Sequence, residues 1–422
     1  MDSCSGSRIF DLIVVGGGVM GSSTAYQSAK RGYRTLLLEQ FDFLHHRGSS
    51  HGESRTIRAT YPEHYYSKMV MEAWRLWEEA ESDAGFRVYT KTSQLDVGPA
   101  DNKSLKAVAS SCQKNSLPHL ILNHEQLALK FSSRVSIPEN WVAVSTELGG
   151  VIRPTKAVSM FQTLAFQKGA LLRDNVEVID IRRDEVRGGV RVYTSNGEEF
   201  LGRKCVVTAG AWAKKLVQKV CGLELPIQAV ETPVSYWRIK PGHEEKYSIG
   251  GVDSFPTFAS YGNPYIYGTP CLEFPGLIKI AIHGGCPCDP DNRPWRQGFQ
   301  LDALKEWIDK RFQGIVDSSG SVLNQSCMYS MTPDEDFVID FLGREFGQDV
   351  VVGGGFSGHG FKMAPIVGRM LVDLAFTGKT EGVELKYFKI GRFQENPKGN
   401  AKDYEDQVSF SLNPDGQLGC ME

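Results

Sequence analysis

Three consecutive glycines constrain this chain more than anything else in it. Residues 11–32, DLIVVGGGVMGSSTAYQSAKRG, pass from a short apolar, β-branched run through Gly16, Gly17 and Gly18 into a helical pattern that stops at Gly32. RTLLLE, residues 34–39, is a second apolar run ending in an acid. The order strand, turn, helix, strand predicts a parallel pair with a right-handed crossover. Gly16, Gly18 and Gly21 stand in the spacing G-x-G-x-x-G around Val19 and Met20, and Glu39 closes the next strand. Such glycines let backbone N–H groups approach a pyrophosphate at a helix N-terminus, and the acid accepts hydrogen bonds from ribose hydroxyls. A dinucleotide site is therefore expected. The motif alone does not separate NAD from FAD. Its place near the start of the chain leans toward FAD. A second glycine-rich turn, VVGGGFSGHGF at 351–361, leans further the same way.

The chain has 422 residues, enough for two domains, with 41% hydrophobic and 23% charged residues. A net charge of -3 argues against a nucleic-acid partner or an acidic membrane surface. Nine cysteines without regular spacing predict no disulfide framework and a reducing compartment. MDSCSGSRIF is not a secretory signal, no apolar run is long enough to span a bilayer, and Cys420-Met421-Glu422 is not a peroxisomal terminal tripeptide. An intracellular place, cytoplasmic or peroxisomal, is expected.

Residues 42–62, DFLHHRGSSHGESRTIRATYP, read as a long connection without periodicity, a length that is usually functional. SKMVMEAWRLWEEAE and PTKAVSMFQTLAFQKG read as amphipathic helices, the second with Pro154 near its start. VEVIDIRRD and GVRVYTSNGEEFLGRKCVV predict a meander that turns at Ser195-Asn196-Gly197. Residues 225–300 carry short alternating runs that predict a largely antiparallel sheet. LDALKEWIDKRF is a further helix, and residues 350–378 close the core as strand, glycine-rich turn and helix.

Some residues are hard to place as scaffold. Lys279 lies in the apolar run GLIKIAIHGG, where an unpaired ammonium is costly, although an edge strand would let it point to water. Cys327 is a lone thiol, read by itself as a buried structural cysteine. His283, Cys286 and Cys288 have metal-like spacing, but no second cysteine pair accompanies them, so no metal site is expected.

Six pieces carry a wider resemblance: VVGGGVMGSSTAYQSAKRG, GSSHGESRTIR, TAGAW, GLIKIAIHGG, CMYSMTPDEDFVID and GGGFSGHGFKMAP. In content and order they resemble the monomeric sarcosine oxidase and L-pipecolate oxidase family of flavoproteins, within the amino-acid oxidase superfamily. The fold expected is α/β, with a discontinuous Rossmann-type FAD-binding domain (8–88, 150–222 and 322–395). A smaller substrate domain (89–149 and 223–321) has a mostly antiparallel sheet and flanking helices, and 396–422 forms a tail. The resemblance implies FAD held covalently by a thioether from Cys327 to the flavin 8α-methyl. It implies oxidation of a small secondary amino acid to an imine, with dioxygen reduced to hydrogen peroxide. With sarcosine the products are glycine and formaldehyde.

The site residues follow from the same likeness. Arg55 and Lys362 are expected to hold the substrate carboxylate, and Lys279 to assist the reaction with oxygen. His283 is expected to orient the amine, with Tyr267 beside the substrate. Ser49, His51, Arg58, Met328, Gly358 and Gly360 are expected on the cofactor. A monomer is expected, with a small secondary amino acid and dioxygen as partners. Two other readings stay open here: an amine dehydrogenase that passes electrons to a protein, and a flavin-binding protein without catalysis.

Overall fold

A computed structural model describes residues 9–250, 253–272, 274–293, 301–402 and 404. The expected tail beyond residue 404 lies outside the described residues.

Two sheets organise the chain. The first has eight strands, six of them in the order Val338–Phe341, Val350–Gly354, Glu199–Val207, Ile9–Val15, Thr35–Leu38 and Leu171–Arg173. Ile9–Val15 pairs in parallel with both Thr35–Leu38 and Glu199–Val207, as the opening turn requires. Its two central apolar strands are buried on both faces, so they read as continuous apolar runs. Helices Val19–Lys30, Pro154–Gln167 and Ala364–Thr377 pack together against this sheet around one large apolar cluster. The meander forms: Val178–Arg183 pairs with Val190–Thr194, and the chain reverses at Gly197 (φ 83°) before Glu199–Val207.

The second sheet has ten strands and is mostly antiparallel. Its main path runs Cys286–Pro287, Gln228–Arg238, Leu277–Ile282, Ile266–Thr269, Thr257–Ser260, Tyr89–Pro99, Trp141–Ile152 and Arg55–Arg58. Only the Thr257–Ser260 contact with Tyr89–Pro99 is parallel. Helix Asp302–Phe312 covers a second core, where Trp307 stacks on Phe258 with ring centres 5.8 Å apart.

One element was invisible in the sequence. The connection 42–62 contains the strand Arg55–Arg58, antiparallel to Trp141–Ile152 with Arg58 opposite Gly149. Only Ile57 of its four residues is apolar, so there is no period-two signal, and a neighbouring edge supplies the strand's partners. The strand Leu323–Met331, which carries Cys327, likewise joins the second sheet, with Cys327 opposite Thr232 on Gln228–Arg238. Arg55–Arg58 and Leu323–Met331 thus bring two segments grouped with the nucleotide domain into the sheet of the other. Among the described residues no helix is long and apolar enough to cross a membrane.

Candidate functional site

The glycine turn sits where the first strand meets the first helix. Gly16 has φ 102°, a conformation that side chains other than glycine's rarely adopt. A Cβ on Gly21 would lie 1.8 Å from the carbonyl oxygen of Gly16, so only glycine lets helix and turn come so close. Helix Val19–Lys30 has no side-chain cap hydrogen bond at Gly18 and no acid in its first turn, which leaves its N-terminal field to a ligand. Glu39 is buried. Its Oε2 accepts from Gly17 N at 2.7 Å and its Oε1 from Phe41 N at 3.0 Å.

From this turn a cavity of about 790 Å³ runs into the second sheet, a size within the usual range for ligand and cofactor pockets. Every expected site residue except Gly21 lines it. Gly21 instead packs beneath the turn. The glycine turn, the helix end with no acid in its first turn and Glu39 together fit a dinucleotide at this end.

Several cations line the same cavity. Lys279 is 4% exposed, because its strand is flanked on both sides rather than lying at an edge. Its Nζ donates to the Ser54 carbonyl at 3.1 Å and lies 5.8 Å from the centre of the Tyr267 ring. Burial first, then the nearby Arg55 guanidinium, pull its pKa down to about 7, against the opposing pull of Cys327 and Glu53. Lys362 is 6% exposed and donates to the Tyr61 hydroxyl at 3.1 Å and the His359 carbonyl at 3.0 Å. Burial, Arg58 and Arg55 hold it well below the usual lysine range.

The two arginines differ in what they already hold. Arg55 donates to three backbone carbonyls, of Ser54 (2.8 Å), Ser49 (3.1 Å) and His51 (2.6 Å). It clamps the connection that precedes it. Among the described residues Arg58 makes two long hydrogen bonds, 3.4 Å each, to the hydroxyls of Thr60 and Tyr265, with Tyr261 also close, and its guanidinium lies 4.6 Å from the Tyr61 ring centre. Its fork is the less engaged of the two. Asp96, fully buried in Tyr89–Pro99 on the far side of the Trp141–Ile152 strand, contributes a negative field at Arg58.

His283 is buried near Arg58 and Lys362; burial, then those two cations, lower its pKa to about 4, so its ring is neutral at neutral pH. The Tyr267 hydroxyl accepts from the Tyr329 hydroxyl at 3.4 Å. His51 is also lowered to about 4, by burial and then by Arg55. Cys327 is 6% exposed, packed against Val234 and Tyr236 on the cavity wall, and Met328 packs beside Ala211 and Ala229. Gly358, at φ 74°, lies under the Tyr329 ring.

Sequence reasoning missed several neighbours. Ser50, rather than Ser49, meets the helix start: Val19 N donates to its Oγ at 3.0 Å, while Ser49 offers its carbonyl to Arg55. Thr208, in the TAGAW piece, donates to the Gly16 carbonyl at 3.2 Å, and Gln162 Nε2 to that of Gly17 at 3.1 Å. Tyr61, His359 and Tyr329 also line the cavity. The TAGAW resemblance was the one signal that pointed to Thr208; Gln162 sits mid-helix and had none.

The family profile described as FAD dependent oxidoreductase matches residues 11–374. A probable sarcosine oxidase of Arabidopsis thaliana is 65% identical over 406 residues, covering 96% of this chain and 97% of the relative. The peroxisomal sarcosine oxidase of Homo sapiens is 34% identical, covering 91% and 96%. Among solved structures, NikD, an unusual amino acid oxidase essential for nikkomycin biosynthesis, shares the fold in its open form. Its TM-score is 0.76 at 24% identity, with 91% of this chain and 98% of that one covered. Cradle, cation-lined cavity and full-length likeness agree: the chain belongs to the sarcosine oxidase and pipecolate oxidase family of FAD-dependent oxidoreductases.

Proposed function

We propose that the chain oxidises the C–N bond of a small secondary amino acid, sarcosine or a cyclic analogue such as L-pipecolate, to an imine, with dioxygen reduced to hydrogen peroxide. FAD, when bound, supplies the two-electron chemistry. Gly16, Gly18, the N-terminus of helix Val19–Lys30 and Glu39 would hold its dinucleotide part, and Cys327, on the wall of the same cavity, would tether it by a thioether.

The observation that carries this reading is a pair of under-used cations, Arg58 and Lys362, in the same cavity as the glycine cradle. A guanidinium fork with free donors suits a carboxylate. Lys362 has filled two of its three donor positions and keeps one for a ligand. Arg58 therefore takes the role expected for Arg55, and Arg55 that of organising residues 49–54. Neutral His283 can accept a hydrogen bond from the substrate amine, and Tyr267 stands beside it. Lys279, in its charged form, places a positive charge where negative charge develops on dioxygen as it is reduced.

The animal relative's name and the seven free cysteines among the described residues support an intracellular site, cytosolic or peroxisomal. The test is peroxide release by the holoenzyme across a panel of N-methyl and cyclic amino acids, beside primary amino acids and amines that lack the carboxylate. Release with the secondary amino acids alone is expected. Silence toward all of them would remove the reading.

A further inference from the structure

The same cavity is lined in part by a stretch of chain that no motif marks. Lys398, Lys402 and Tyr404 line it there. Lys402 Nζ lies 2.8 Å from Glu63 Oε1 and 3.6 Å from Asp336 Oδ1, and the three side chains are 12%, 12% and 0% exposed. Asn400 fastens the same segment: its N–H donates to Asp334 Oδ2 at 2.8 Å and its side-chain amide to Asp336 Oδ2 at 2.8 Å. Ser104 Oγ donates to the Tyr404 carbonyl at 2.7 Å. Glu63 follows Tyr61 by two residues, and the Tyr61 hydroxyl accepts from Lys362. Lys402 and Lys362 both lie close enough to His359 to act on its charge, and His359 gives its carbonyl to Lys362 and its ring to the Tyr61 hydroxyl, so His359 links the fastening point to the proposed carboxylate site.

We propose that residues 396–402, with Tyr404, form the outer wall of the substrate chamber, and that Lys402 is the specificity-determining residue that latches this wall. The proposal rests on the reading of Arg58 and Lys362 as the carboxylate site and adds to it what limits substrate size.

Two physical consequences follow from the latch. First, a lysine buried between two carboxylates holds a chain segment in place only while the charge pairing is intact, since removing one partner of a buried ion pair strands the others. Secondly, Lys402 offsets Glu63 and Asp336. Without it, the Glu63 carboxylate on the cavity wall is left unoffset in the cavity that holds the proposed anion site, and small carboxylates lose affinity by repulsion. A bulkier carboxylate meets the same repulsion but gains the space released by the loosened wall. Loss of the latch thus changes selectivity, beyond any uniform loss of binding.

The experiment uses the holoenzyme and its flavin absorbance, titrated with acetate and with benzoate, in the parent, Lys402→Met and Lys402→Arg. Hydrogen exchange of residues 396–402 is measured in parallel. In Lys402→Met, exchange of the segment is expected to rise, and the ratio of benzoate to acetate affinity to shift about tenfold toward benzoate. Lys402→Arg keeps the charge and is expected to behave as the parent. Raised exchange with a ratio within twofold of the parent overturns the wall. Unchanged exchange in Lys402→Met overturns the latch. Failure of both carboxylates to bind the parent strikes the Arg58 and Lys362 reading itself and takes the wall's role in selection with it. The exchange data then still report whether Lys402 holds the segment, so the two failures are distinguishable.

Discussion

Lys279 Nζ donates to the backbone carbonyl of Ser54, 225 residues away in the chain, at 3.1 Å. This bond joins the central strand of the second sheet to the connection that Arg55 clamps. It also leaves an ammonium with little water around it, beside a guanidinium, so its proton is lost about neutral pH. The role proposed for Lys279 toward dioxygen belongs to its charged form, whose fraction falls as pH rises through about 7. Flavin reoxidation, followed by stopped flow, is expected to slow across that range. Lys279→Met should lower it by about 10²–10³-fold, the usual effect of removing one electrostatic stabiliser, and should flatten the profile. Anaerobic reduction by substrate is expected to change little. A pH-dependent reoxidation surviving in the Met variant would refute the role.

The engagement of the two arginines predicts different defects. Arg58→Lys keeps the charge but loses the fork. It should raise KM for the amino acid by about 10–100-fold, in keeping with about 1.5–3 kcal/mol for hydrogen bonds to charged groups. Arg55→Lys strands the carbonyls of Ser49, Ser54 and His51. It should show first as lower flavin content and a shifted flavin spectrum. If the KM defect appears in the Arg55 variant alone, the roles are the reverse.

Cys327 is small, and serine in its place costs little packing. Cys327→Ser should fold, bind flavin reversibly, and give a colourless pellet after acid precipitation and washing. The parent should give a yellow pellet. A colourless parent pellet would rule out the thioether.

Behind the proposed chamber wall, Arg392 donates from Nε and Nη2 to the two oxygens of Asp334 at 2.7 and 3.0 Å, with side chains 6% and 1% exposed. Removing one partner leaves a buried charge unpaired. Arg392→Met is therefore expected to destabilise the chain by about 3–5 kcal/mol, read from urea unfolding of the holoenzyme. Asp334 also accepts from Asn400 N, so hydrogen exchange around residue 400 should rise in the same variant. An unfolding midpoint equal to the parent's would show that the pair contributes nothing net.

Much of this molecule could be read before any coordinates. The strand–glycine–helix opening, the terminal acid Glu39 and the helical stretches depend on local chemistry: backbone freedom at glycine, the period of apolar residues and the field of a helix end. Those rules act within a few residues, so the sequence by itself determined the dinucleotide cradle and the α/β class. The resemblance supplied the types of residue around the cavity. Which of two neighbours meets which partner was decided only by tertiary structure. Arg55 and Arg58 stand three residues apart in one short strand, as alike on paper as Ser49 and Ser50. Their tasks depend on which carbonyls, hydroxyls and helix ends the fold brings to them from elsewhere. The strand Arg55–Arg58 exists because the Trp141–Ile152 edge is there to pair with it. The wall at Lys402 exists because Glu63 and Asp336, 339 and 66 residues earlier in the chain, meet at one point. Hydrogen bonds and buried charges are short-ranged in space and blind to sequence separation, so pairings of this kind become visible only once the chain is folded.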